Sequence, residues 1–203
     1  MATSYSYYKD EIAEYLKKGF KKSAKILDVG AGSGTYYNLI GDYFTNMDAV
    51  EVFKPNIDKY HLEDKYRKVY NADIRDFKYE MYDIIIFGDI IEHLSVEDAQ
   101  KVLKYARKRC REMIVAVPYE YPQDEIEGNV YEIHKQDDLT PTKVLERYPF
   151  LELLYGNSVY GYYIKRKHWQ KRYNVVELYC REVIEIDFWL YEKKFSTFNI
   201  TLS

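Results

Sequence analysis

The sequence predicts an α/β fold built on a parallel sheet, and three observations carry that prediction. Apolar runs of strand length recur with helix-length segments between them, at Lys25 to Val29, Asp48 to Phe53, Lys68 to Ala72, Tyr82 to Phe87 and Glu112 to Val117. Two of these runs, IIIF (Ile84 to Phe87) and MIVAV (Met113 to Val117), are almost wholly apolar, as expected of strands covered on both faces. A glycine-rich turn, within ILDVGAGSGTYY (Ile26 to Tyr37), directly follows the first run, where a strand-to-helix connection can hold a ligand.

Each later element has its own signal. The segment Ser95 to Arg109 opens with Ser-Val-Glu-Asp, so Ser95 can cap a helix whose positive end is met by acids. Val102, Leu103 and Ala106 then face the sheet. Thr140 to Tyr148 begins with Thr-Pro, a favourable helix opening. LELLYGNSVYGYYIKR (Leu151 to Arg166) reads as an antiparallel strand pair joined at Gly156-Asn157-Ser158. After Arg172, Val176, Tyr179, Val183, Ile186 and Leu190 recur at steps of three and four and mark an apolar helix face, with a strand from Ile184 onward as its competitor. The expected organisation is a domain over residues 1–172 and an extension over 173–203, which packs on the core or on a second subunit in a homodimer.

Composition sets the class. The chain has 203 residues, 47% hydrophobic and 31% charged, enough for one sizeable core. A net charge of −3 argues against a surface built throughout for a polyanion. Cys110 and Cys180 lack partners at metal-site or disulfide-framework spacing, and both read as buried thiols. No window reaches the roughly 20 apolar residues of a membrane span, and the first residues lack a signal-peptide core, so the expected location is cytoplasmic.

The turn itself narrows the ligand. Gly30, Gly32 and Gly34 allow close backbone approach, and a helix starting near Gly34 directs free N–H groups at whatever lies there. A dinucleotide fingerprint would need glycine where Thr35 stands, so the G-x-G-x-G spacing disfavours a nicotinamide oxidoreductase. Asp28 precedes the turn, where a carboxylate could pair with a cationic amino-acid tail. Glu51, ending the next strand in AVEVF beside Val52, is placed for both hydroxyls of a ribose. Asp73, in NADIRDF beside Ile74, can accept from the amine of an adenine-like base.

With these residues in place, and with YDIIIFGDIIEHL (Tyr82 to Leu94) after the fourth strand, the chain resembles the class I S-adenosylmethionine-dependent methyltransferases, particularly the small UbiG/UbiE-like group, over roughly residues 20 to 118. The resemblance implies a Rossmann-like seven-stranded sheet of order 3-2-1-4-5-7-6, with the last strand antiparallel and helices on both faces. It implies S-adenosylmethionine as cofactor, over the carboxyl ends of the central strands, met by Tyr8, Asp28, Gly30, Gly32, Gly34, Glu51, Val52, Asp73, Ile74 and Asp89. The leading helix is expected to act as a lid, with Tyr5, Tyr7 and Tyr8 either on the cofactor or in ordinary packing.

The implied reaction moves a methyl group to an oxygen or nitrogen of a small-molecule acceptor, with a sugar or biosynthetic metabolite favoured. Positioning is most of that task, and a base helps when the acceptor is a hydroxyl. Asp89, Glu92, His93 and His134 are the candidates for that base, and Asp89, His93 and His134 are assigned to catalysis. Asp89-x-x-Glu92-His93 with His134 also resembles the metal set of small-RNA 2′-O-methyltransferases, but with Asp in the first place. No metal is assigned, and activity is expected to survive chelation. Basic stretches at Lys101 to Arg111 and Lys165 to Arg172 could follow a phosphate backbone, yet solvated faces explain them, and nucleic acid is disfavoured. The alternatives are a metal-using RNA 2′-O-methyltransferase and an inactive regulatory subunit that keeps only the cofactor site.

Overall fold

The computed structural model describes residues 5–165. The chain enters through helix α1 (Lys9–Gly19), then alternates through β1 (Lys25–Val29), α2 (Thr35–Ile40), β2 (Asn46–Glu51), the short α3 (Lys54–Lys59) and α4 (Leu62–Lys65), and β3 (Lys68–Asn71). It continues through β4 (Tyr82–Gly88), α5 (Val96–Ala106) and β5 (Cys110–Pro118). A long connection leads to α6 (Pro141–Arg147) and the pair β6 (Leu151–Gly156) and β7 (Tyr160–Lys165). The apolar segment expected after Arg172, and the packing of residues 173–203, lie outside the described residues. No helix among the described residues is long and apolar enough to cross a membrane.

The strands lie in the order β3-β2-β1-β4-β5-β7-β6. The first five run parallel, and β7 is antiparallel to both of its neighbours. This is the Rossmann-like methyltransferase sheet that the resemblance implies. Alternate side chains of a strand point to opposite faces, and both faces here are covered. Ile26, Ile84, Ile86 and Ile114 pack with Ile12 and Leu16 of α1 and Tyr36 and Ile40 of α2. Leu27, Ile85, Phe87, Met113 and Val115 pack with Ala99, Val102, Leu103 and Ala106 of α5. That double burial is why IIIF and MIVAV carry no polar residue.

The helix starts follow local chemistry. Ser95 Oγ accepts the Asp98 N–H at 3.1 Å, and Thr140 Oγ1 accepts the Lys143 N–H at 3.2 Å, each satisfying a donor that the helix cannot. The strands differ from the expected bounds by one or two residues at their ends, and at β2 the difference bears on the site. β2 spans Asn46–Glu51 instead of Asp48 to Phe53, because Pro55 opens α3 and draws Val52 and Phe53 out of the ladder. The consequence is functional: Glu51 becomes the last residue of the strand.

The β5–α6 connection is fastened across the carboxyl end of β4. The N–H groups of Lys135 and Gln136 donate to the Glu92 carbonyl at 2.7 and 3.0 Å. The buried Gln136 side chain donates to the carbonyls of Ile91 and Leu94 at 2.7 and 3.1 Å and accepts from the Tyr148 hydroxyl at 2.9 Å. Gln136→Ala should lower stability by about 1–3 kcal/mol, because buried groups lose their partners. Urea unfolding measures this, and an unchanged midpoint would show that the fastening contributes nothing.

Candidate functional site

A cavity of about 700 Å³ opens at the carboxyl ends of the central strands. Its floor is the turn after β1. Gly30 and Gly32 hold φ at 68° and 51°, in the left-handed region that side chains disfavour. A Cβ on Gly32 would meet no protein atom nearer than the Gly30 carbonyl, at 3.8 Å, so bare backbone faces the space. The Glu51 carboxylate ties this turn to the end of β2, accepting the Gly32 N–H on one oxygen and the Phe53 N–H on the other, each at 2.8 Å. Glu51 is 5% exposed. Burial raises its pKa, and the backbone N–H groups act in the opposite direction. Two N–H bonds leave lone pairs on both oxygens for donors entering from the cavity.

Val52, Asp73 and Ile74 line the wall beside Glu51. Asp73 is held by Arg75, whose Nε lies 2.9 and 3.0 Å from the two carboxylate oxygens and whose Nη2 closes the fork. The pairing keeps the Asp73 carboxyl below its usual range. A base amine arriving at Asp73 must therefore share it with Arg75, a residue the sequence reading passes over.

The opposite wall comes from the end of β4. A Cβ on Gly88 would lie 2.1 Å from the Tyr36 ring, so only glycine lets that ring close the space between the turn and Asp89. Asp89 has φ 57°, donates its N–H to the Ala116 carbonyl at 3.0 Å and accepts from the Tyr160 hydroxyl at 2.7 Å. His93 lines the cavity beyond it. Its ring lies 4.7 Å from that of His134, centroid to centroid, and nearly edge-on. Burial, with His134 adding to it, takes the His93 pKa down to about 4, and burial also lowers that of His134. Glu92 is 1% exposed, and its pKa is raised well above the usual carboxylate value by burial and then by Asp89. The β5–α6 connection adds Asn129, Tyr131 and Glu132 to the cavity lining. Asn129 sets their geometry, accepting from the Tyr131 N–H at 3.1 Å and donating to Glu132 Oε1 at 3.2 Å.

Gly30, Gly32, Glu51, Val52, Asp73, Ile74, Asp89 and His93 thus meet around one space, whereas Tyr8, Asp28, Gly34 and His134 do not line it. Asp28 is 1% exposed and accepts the Tyr66 hydroxyl at 2.5 Å, so its expected pairing with a cationic tail gives way to a contact behind the turn. Burial pushes its pKa up to about 7. Tyr8 stacks on Tyr155 and donates to the Gly156 carbonyl at 3.0 Å, which directs it to the β6–β7 edge instead of the cavity. Tyr5 packs edge-on against Tyr160 and Tyr121, and Tyr7 is exposed. Gly34 caps α2 with φ 83°. His134 stands one layer behind His93. Tyr36, Arg75, Asn129, Tyr131 and Glu132 are cavity residues that sequence reasoning does not single out, the last three lying in the long connection after β5.

The family model described as a methyltransferase domain matches residues 2–139. No curated protein matches the chain in sequence. Among solved structures, the complex of DhpI with SAM and HEP is 13% identical, covers 80% of this chain and 89% of its own, and superposes with a TM-score of 0.60. The N-terminal domain of EvdMO1 with SAH bound is 12% identical, covering 80% and 82%, at 0.61. The mitomycin 7-O-methyltransferase MmcR is 13% identical, covering 78% and 53%, at 0.53. At these identities the likeness is one of fold, while the family match spans most of the chain. The chain belongs to the methyltransferase-domain family.

Proposed function

We propose that this methyltransferase binds S-adenosylmethionine in the cavity and transfers its methyl group to an oxygen or nitrogen of a small-molecule acceptor. The observation that carries the reading is the Glu51 carboxylate, fixed by two backbone N–H groups beside a bare glycine turn, with room left for a vicinal diol. In this arrangement the ribose sits on Glu51, the base lies against Val52 and Ile74 with its amine at Asp73, and the amino-acid part follows Gly30 and Gly32. The activated methyl then faces Asp89. The solved neighbours with SAM or SAH bound, and one named as an O-methyltransferase, support the same assignment.

Displacement at a sulfonium methyl needs the nucleophile, carbon and sulfur held in line, which effective molarity rewards strongly. A hydroxyl acceptor must also lose a proton, and the Asp89 carboxylate and the imidazoles of His93 and His134 stand at that end. An acceptor would enter beneath Asn129, Tyr131 and Glu132. Open space there favours an enzyme over a regulatory subunit with a blocked acceptor pocket.

Glu51→Ala should weaken S-adenosylhomocysteine binding by about 1–3 kcal/mol while the chain stays folded, read by calorimetry. Gly32→Val should abolish binding, because a β-branched side chain at positive φ both strains the turn and fills the space. Full affinity in either folded variant would remove the turn from the cofactor site. The pH profile tests the other end. Since burial lowers both imidazoles, they stay neutral below the ordinary histidine value of about 6.5, and the acid limb of kcat/KM should fall below that pH. A limb centred above it would exclude them from control of the rate.

A further inference from the structure

Resting on the methyl-transfer reading, we propose that Tyr160 is a positioning residue for Asp89: it holds that carboxylate toward the methyl-bearing sulfur, so that the cavity selects the charged sulfonium cofactor over its neutral thioether product. The fold explains how a residue so late in the chain reaches this place. β7 runs against β5, so its first residue lies at the carboxyl end of that strand, where the cavity opens. Tyr160 pairs with Pro118, and Tyr162 with Ala116. The Ala116 carbonyl accepts the Asp89 N–H at 3.0 Å, which ties the turn after β4 to the same end of β5.

Tyr160 is fixed from both backbone and ring. Asn157 Oδ1 accepts the Val159 and Tyr160 N–H groups at 2.9 and 3.0 Å, and the Asn157 N–H donates to the Tyr160 carbonyl at 3.0 Å. The side chain is fully buried, with the rings of Tyr5 and Tyr162 edge-on to it, each 5.5 Å away between centroids. Its hydroxyl donates to Asp89 Oδ1 at 2.7 Å. Burial and then the Asp89 charge push this phenol well above its ordinary range, so it stays protonated and remains a donor. A bond of this kind favours the ionised carboxylate and sets its plane. Asp89 also holds φ 57°, a conformation that is costly for a residue with a side chain and persists where its surroundings enforce it. A buried donor, a strained backbone and a place in the cavity lining thus converge on one oriented negative charge. The same strand backs the neighbouring wall, where the Tyr36 hydroxyl donates to Tyr162 Oη at 3.3 Å. Lys9 and His134 feel the charge as well: burial lowers the pKa of each, and Asp89 opposes it.

The chemistry gives that charge its use. In the transfer, an acceptor lone pair bonds to the methyl carbon, the C–S electron pair stays on sulfur, and the acceptor's proton passes to a base. The positive charge leaves the sulfur, and its attraction to Asp89 is lost with it. The carboxylate that seats the cofactor therefore does not hold the product.

Calorimetry on the full chain with two stable ligands tests this without an acceptor. Sinefungin carries an ammonium group on carbon in place of the methylsulfonium, whereas S-adenosylhomocysteine has the neutral sulfur. The wild type should bind sinefungin about tenfold or more tighter, as a hydrogen-bonded charge warrants. Tyr160→Phe keeps the ring and loses the hydroxyl; it should cut that ratio about fivefold or more and leave S-adenosylhomocysteine affinity within about twofold. Asp89→Asn should abolish the preference. Tyr163→Phe is the control: it removes a buried hydroxyl from the same strand on the opposite face, where Tyr163 bonds to Tyr119 at 2.5 Å, and the ratio should not change. A wild type without the preference overturns the assignment. So does a Tyr160→Phe variant that loses stability while its ratio stays put, or an equal change of ratio in Tyr163→Phe. If the wild type binds neither ligand, the cofactor reading fails and the role of Tyr160 falls with it; if it binds both and only the ratio misbehaves, the cofactor reading stands and the role of Tyr160 alone falls.

Discussion

The bridge from the Glu51 carboxylate to the amides of Gly32 and Phe53 is the constraint on which the rest of the site depends. It joins two connections, β1 to α2 and β2 to α3, that would otherwise be separate loops. Burying a carboxylate at 5% exposure is unfavourable, and two N–H donors offset that cost only if the turn keeps Gly32 at positive φ. The glycines make the turn possible, and Glu51 makes it one conformation. The cavity floor is therefore formed before any ligand arrives, so binding need not also order the loop.

The far end of the cavity depends on a second tie, from a distant part of the chain. Gln136 and the adjacent N–H groups bind the carbonyls of Ile91, Glu92 and Leu94, and so hold the β5–α6 connection against the turn after β4. That contact brings His134 to His93, and the same connection carries Asn129, Tyr131 and Glu132 into the cavity lining. The two ends differ in character. Near Glu51 the polar groups are satisfied by backbone donors, whereas around Glu92 and His93 several are buried without partners. Leaving such groups unpaired costs stability, so the two ends of the cavity differ in what holds them.

The fold was legible because both faces of the sheet are covered, which turns β4 and β5 into apolar runs that no amphipathic helix would produce. The end of β2 was misread because Val52 and Phe53 continue the apolar pattern while Pro55, two residues on, ends the strand. Half of the site was legible for the same reason as the fold: Gly30, Gly32, Glu51, Asp73 and Asp89 sit at strand ends, where spacing fixes position. Spacing does not say what lies behind Asp28, where Tyr66, just after α4, reaches its carboxylate. Nor does spacing show that Tyr8, the N-cap of α1, stacks on Tyr155 of β6. Arg75 was missed because a side chain two residues on can fold back onto Asp73, which no periodicity reveals. The grouping of Glu92, His93 and His134 arises from the Gln136 tie, a tertiary contact.

Amide hydrogen exchange at Gly32 and Phe53 in the ligand-free protein tests the account most directly. A floor preformed by Glu51 predicts slow exchange at both amides without cofactor, little further protection when S-adenosylhomocysteine is added, and fast exchange at both in Glu51→Ala. Fast exchange in the free wild-type protein, with protection appearing only in the complex, would contradict it.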